Sequence, residues 1–249
     1  LRAESPSSRA RLFSTQPRSA DVTLVTVKSY DTRTAAETLA PVTREGDTVV
    51  SLQNGMGNEE VLDGALDATV LGGTATYGAN LRVDEGVVVY AGEGHVVVGD
   101  YGGGWSHEAE RVAGALGGVS SEATDDMDVR LWEKLAVNAG VNPVTALTDA
   151  RNGEAVEGAG DVIRKTAREV EEVAAEHGVE VEEAPRRAVE TARATEGNVS
   201  SMLQDVREGR RTEIDALNGY VVESAEGTEA SVPANRLLAR LVRAVDRTK

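Results

Sequence analysis

The chain contains no cysteine, which excludes disulfides, thiolate metal sites and thiol nucleophiles. Its three histidines, His95, His107 and His177, lie far apart without metal-ligand spacing, so no metal centre is expected. Aromatic residues are only 3% of the 249, and a core must therefore be built from Val, Ala and Leu. No apolar run approaches the ~18 residues of a membrane span, and no signal peptide is visible. A soluble, cytoplasmic protein is expected. Lysine is scarce too, present only at 28, 134, 165 and 249, while Arg supplies the other positive charges. With 42 acidic against 26 basic residues the net charge is −16, which argues against nucleic acid or an anionic membrane as partner. Acidic residues are scattered, as at Glu59-Glu60, Asp125-Asp126 and Glu169 to Glu172, rather than confined to one tail. With so few lysines, this reads as a solvated surface adapted to high salt, as in a halophile's cytoplasm.

Residues 1–20 have no hydrophobic period and are rich in Ser, Arg and Pro, an irregular lead-in. From Asp21 the pattern sharpens. VTLVTVK (22–28), DTVVSLQN (47–54) and TVLGGTATYGA (69–79) read as strands, with helices at Thr32–Leu39 and Glu59–Leu66 between them. GVVVYAG (86–92) and HVVVGDYGGG (95–104) alternate across Gly-Glu-Gly and predict a hairpin with each other. A helix at His107–Leu116 follows. Strands alternating with helices give an α/β domain with a mostly parallel sheet. After a polar link at Ser120 to Asp126 only helices are expected: Val129–Leu147, Ala159–His177, Glu183–Thr195, Ser200–Glu208, Glu213–Ala225 and Pro233–Asp246. The expected domains are 21–122, Rossmann-like, and 123–249, all-helical.

The most informative stretch is LWEKLAVNAGVNPVTALTDARNGE (131–154). It is apolar nearly all round, as a buried helix is. Lys134, Asn138 and Asn142 nevertheless stand at i, i+4 and i+8, one narrow polar ridge. An ammonium in apolar surroundings costs several kcal/mol unless it is paired or sheds its proton. The ridge is either a used amine flanked by carboxamides or a lysine that snorkels to water beside local caps. Other polar residues have similarly divided readings. Lys28 and Asn54 fall at strand ends, where α/β folds bind ligands, but also read as a loop cation and an ordinary Asn-Gly turn. Ser200 or Ser201 reads as a helix N-cap, and Thr212-Glu213 as the start of the next helix.

Two long segments, WEKLAVNAGVNPVTAL with Asn152-Gly153-Glu154, and NVSSMLQDVREGRRTEIDALNGYVV (198–222), resemble the ketopantoate reductases (2-dehydropantoate 2-reductases). VTVK and QNGMG resemble the same family's strand end and turn. The resemblance runs from about Asp21 to Arg247. It implies a Rossmann-like domain followed by a helical domain of the 6-phosphogluconate-dehydrogenase type, and reduction of 2-dehydropantoate to pantoate with NADPH, NADH remaining open. It also implies that Lys134 is the catalytic lysine and Glu213 the carboxylate that works with it. Lys28 would lie by the cofactor, and Asn54 would position nicotinamide and substrate. Asn138, Asn142, Asn152, Asn198 and Ser201 would line the substrate site. Partners would be a small 2-oxo acid and, as an open option, a second copy of the chain. The family pattern is broken at the start, where no strand runs into the G-x-G-x-x-G turn that cradles pyrophosphate. Truncation is the favoured account, beside completion by another segment or a relic without dinucleotide binding. Tyr77, where the family often has His, is assigned no role. Another two-domain hydroxyacid reductase is the alternative within the enzyme class.

Overall fold

A computed structural model describes residues 19–76, 79–82, 87–90, 94–117 and 119–248. The lead-in at 1–18, Tyr77 and Gly92 lie outside them. Val22–Val25 (β1), Thr48–Ser51 (β2) and Thr69–Ala75 (β3) are parallel neighbours, in register Val22 to Thr48 and Thr48 to Thr69. Helices Thr32–Leu39 (α1) and Asn58–Asp63 (α2) supply the crossovers that parallel pairing needs. β-branched residues dominate β2, and it is buried along its whole length. Alternation sends Val49 and Val50 to opposite faces. Val49 packs with Val25, Val70, α1's Ala36 and α2's Leu62, whereas Val50 packs with Leu71 and Val98.

The expected hairpin between 86–92 and 95–104 does not form. Val87–Tyr90 (β5) pairs instead with Ala79–Arg82 (β4) in a separate two-stranded sheet. Val96–Gly99 (β6) enters the main sheet antiparallel to β3. Alternation within each run could show two strands but not their partners. His107–Ala115 (α3) buries Ala109 and Val112 against β6's face of the sheet. The region read as a polar link contains a further strand, Ser121–Ala123 (β7), parallel to β6. The five-stranded order is β1-β2-β3-β6-β7. β1 is an outer strand, with its own Leu24 41% exposed and Val27 just beyond it 42% exposed.

Met127–Thr148 (α4) starts directly on the sheet, where Met127 and Leu131 pack on Val97. Gly99 allows this approach, because a Cβ there would stand 2.7 Å from Met127 Cβ. Around α4 are Asn152–Glu176 (α5), Ala184–Ala194 (α6), Ser201–Arg207 (α7), Tyr220–Ser224 (α8) and Pro233–Asp246 (α9). Small and aliphatic residues fill their common core, including Leu135, Ala139, Ile163, Val170, Ala188, Leu217 and Val242. Trp132 stacks on His177 at 6.0 Å and leans on Tyr220 at 5.9 Å.

Two helices differ from expectation. α5 begins at Asn152 rather than Ala159, closed by a box in which Arg151's amide donates to Glu154 Oε2 at 2.8 Å. Ala159 itself leaves helical geometry (φ −144°, ψ 31°), flanked by Gly158 and Gly160, so the early turns do not extend the later period. The single helix expected at Glu213–Ala225 is instead a wide, π-type turn at Asp215–Gly219 leading into α8. Such turns concentrate at functional sites. Among the described residues no helix is long and apolar enough to cross a membrane.

Candidate active site

The ridge on α4 survives folding, with Lys134, Asn138 and Asn142 all on that helix. Lys134 and Asn138 are half-buried and Asn142 is 8% exposed. Thr145's hydroxyl donates to Asn142's backbone carbonyl at 2.8 Å, but among the described residues none hydrogen-bonds to the side chains of the three. Lys134 lines a cavity of about 500 Å³ with Thr74 and Thr76 from the end of β3 and Arg187 and Glu190 from α6. Loss of water around its ammonium draws the Lys134 pKa below the ordinary lysine value, with Glu213 and Glu59 opposing by charge. An amine held this way is a stronger acid than an exposed lysine and still has carboxylates to keep it charged.

Glu213, immediately before the wide turn, reaches the α/β part. Its Oε1 accepts from the backbone N–H of Ser29 at 2.9 Å, and its Oε2 lies 3.4 Å from Lys28 Nζ. The direct contacts of Glu213 are therefore with Lys28's loop, and its influence on Lys134 is through space. Lys28 is held more closely by Asp205 of α7, at 2.6 Å. Burial pulls the Lys28 pKa down, but Asp205's hydrogen bond and the two carboxylate charges outweigh it, and the ammonium titrates above its usual value. Asp205 is 1% exposed and takes a second cation, Arg210, at 2.9 Å. Arg211 lies over the Tyr30 ring at 4.9 Å. These contacts clamp the loop after β1 to the helical part.

The Asn54 turn docks on the same wide turn. Met56's amide donates to Ala216's carbonyl at 3.0 Å. Gly55 has φ +84°, and a Cβ on it would come 2.5 Å from that carbonyl, so glycine is required twice over. Asn54 is half-buried; its carbonyl takes Asn58 Nδ2, and no described residue bonds its side chain.

The remaining expected residues gather elsewhere. Asn152's amide donates to Asn198's carbonyl at 3.1 Å, and its side chain donates to Thr195 at 2.9 Å, leaving a buried Oδ1 without a partner among the described residues. Asn198 is exposed. Ser200, rather than Ser201, caps α7, accepting from Leu203's amide and meeting Thr145 of α4 at 2.7 Å. Ser201 is the exposed first residue of that helix.

Two acids escaped the sequence reading. Asp205 carried a findable signal, since Lys28 at a strand end needs a counter-charge, although no sequence rule names which acid. Glu59 carried none, because Asn58-Glu59-Glu60 looks like an ordinary acidic helix start. In the fold it is 3% exposed, and burial pushes its carboxyl up to about 7.

The family model described as Ketopantoate reductase PanE/ApbA matches residues 2–103, and its C-terminal counterpart matches 126–246. The chain belongs to the ketopantoate reductase family. A 2-dehydropantoate 2-reductase of Archaeoglobus fulgidus is 46% identical over 235 residues, covering 93% of this chain and 78% of the relative. One from Halobacterium salinarum is 43% identical, covering 92% and 77%. Among solved structures, a PanE/ApbA family ketopantoate reductase from Ralstonia eutropha superposes with TM-score 0.83 at 32% identity, covering 93% of this chain and 77% of that one. A D-mandelate dehydrogenase solved with NADH shares the fold (TM-score 0.85, 22% identity, 92% and 79% covered). Membership makes the chain an oxidoreductase with a Rossmann-like part and a helical part. In ketopantoate reductase terms, the ridge on α4 and the clamp around Lys28 are the features to explain.

Proposed function

We propose that this chain reduces 2-dehydropantoate to pantoate, on the route to pantothenate and coenzyme A, with Lys134 as the general acid. The observation that carries the reading is the Lys134 ammonium beside a cavity, with no ion pair among the described residues, continued along its helix by the carboxamides of Asn138 and Asn142, which no described residue bonds. 2-Dehydropantoate offers acceptors to match: a carboxylate, a keto oxygen and a hydroxyl. Lys134 donates to the keto oxygen and gives up its proton as the alkoxide forms. Its depressed pKa eases that transfer, and its charge stabilises the developing anion. Glu213 and Glu59 hold the lysine charged beforehand. Asn138, Asn142, Asn152, Asn198 and Ser201 orient the substrate without adding a competing acid.

Lys28, Asn54 and Glu213 form a donor and acceptor set that suits the nicotinamide ribose and carboxamide: a half-exposed ammonium, a free carboxamide and a buried carboxylate. When bound, the dinucleotide supplies the hydride; NADPH is the expected form, with NADH as the alternative. The acidic, lysine-poor surface supports work in a salt-rich cytoplasm. The related Staphylococcus aureus protein described as a dimeric ketopantoate reductase makes a homodimer the assembly to test.

The test is oxidation of NADPH, and separately NADH, with ketopantoate in molar KCl. Turnover that disappears in Lys134→Ala while thermal unfolding is unchanged is the expected result. Near-normal turnover by that variant would overturn the role of Lys134.

A further inference from the structure

α4 carries Pro143 in its interior. Proline has no N–H to offer the carbonyl four residues back, and its ring crowds that carbonyl. The orphan is Ala139's, which lies between Asn138 and Asn142. A buried carbonyl without a partner is costly. Here the missing donor comes from another element: Asn218, in the wide turn, donates Nδ2–H to Ala139's carbonyl at 3.0 Å. The second Nδ2–H goes to Asn235 Oδ1 at 2.9 Å.

The amide orientation follows from chemistry. Asn235 Nδ2 donates to Thr166's carbonyl at 3.1 Å and to Glu169 Oε2 at 3.0 Å, so its oxygen faces Asn218 and can only accept. Glu169 is fixed in turn by the backbone amides of Ala234 and Asn235, at 3.0 and 2.9 Å. Asn218 and Asn235 are both 0% exposed. The proline turn of α4 is therefore held by a frame anchored on α5 and α9. Asn218 also sits two residues from Ala216, whose carbonyl holds the Asn54 turn.

We propose that Asn218 is a positioning residue of the reductase: by giving Ala139 the hydrogen bond that Pro143 cannot, it sets the angle at which α4 presents Asn138 and Asn142 to the substrate. The inference rests on the reductase reading and adds a residue that touches neither substrate nor cofactor. The wide turn is its vehicle, because an ordinary helical turn would space Glu213, Ala216 and Asn218 differently.

The experiment is a cycle of Asn218→Ala, Pro143→Ala and the double variant. Asn218→Ala is expected to lower kcat/KM for the 2-oxo acid about tenfold, the equivalent of one buried hydrogen bond, while dinucleotide affinity is unchanged. In the Pro143→Ala background residue 143 regains an N–H, so adding Asn218→Ala should change kinetics no further. An equal loss in both backgrounds overturns the proposal. So does a lower unfolding midpoint for Asn218→Ala with kinetics intact. If that single variant does not fold, comparing the double variant with Pro143→Ala decides the matter. A parent chain without turnover would sink the reductase reading instead. The same cycle followed by urea unfolding would then still test the link, with coupling supporting it and additivity refuting it.

Discussion

Glu59→Gln separates burial from charge at the site. Glu59 is 3% exposed at the start of α2, and burial lifts its carboxyl from 4.5 to about 7, with Glu60 assisting and Lys134's charge opposing. Between those values the folded chain keeps a proton that the unfolded chain has lost. Stability from this group is thus full below the unfolded value, falls as pH rises from about 4.5 to about 7, and is flat above. The gap is roughly 2.5 pH units, at about 1.4 kcal/mol each, or about 3 kcal/mol in all. Glutamine mimics the protonated acid, so Glu59→Gln should match the parent near pH 4 and exceed it by about 3 kcal/mol at pH 8. Urea unfolding at a series of pH values measures this directly. The substitution also removes one of the two carboxylates that keep Lys134 charged, so the alkaline fall in kcat should move to lower pH. A stability difference of the same size at every pH would refute the reasoning, as would a variant weaker than the parent at pH 8.

Glu213→Ala should lower kcat roughly 10²-fold and weaken dinucleotide binding, since Ser29's amide and Lys28 lose a partner together; a fall in thermal stability alone would reduce Glu213 to a helix-start role. Asp205→Asn should cost about 2 kcal/mol in urea unfolding, the worth of a hydrogen bond to a charged group. It should also raise the KM for the dinucleotide as Lys28 turns to Glu213, and an unchanged KM would count against the clamp. Gly55→Ala meets both a left-handed φ and a carbonyl 2.5 Å away. A loss of at least ~2 kcal/mol is expected, with turnover falling as the Asn54 turn lifts from Ala216; an unaffected melting curve would show that the turn docks elsewhere.

Local signals in the chain spoke clearly where one element decides its own limits. Thr32–Leu39 and Pro233–Asp246 form as the period predicts, the latter opened by a proline at its first position. The Lys134, Asn138, Asn142 ridge was legible because spacing alone puts three residues on one helix face. What failed depends on distant partners. Strand β6 chose β3 over its neighbour in sequence, and β7 is three residues with no apolar alternation. The wide turn at Asp215–Gly219 was invisible because its geometry answers to Lys28's loop and the Asn54 turn. Asp205 and Glu59 were hidden likewise, since burial of an acid is a property of what surrounds it.

The stacking of Trp132 has a practical consequence. Trp132 is 5% exposed, two residues before Lys134 on α4, against His177 and Tyr220, while the chain's other tryptophan, Trp105, is 68% exposed. The emission of the two indoles should therefore be separable by colour and by quenching with iodide. The protected signal comes from the helix that bears the lysine, with the indole stacked on the His177 ring. The protein thus carries its own optical gauge of that helix, readable during unfolding or ligand addition without a label.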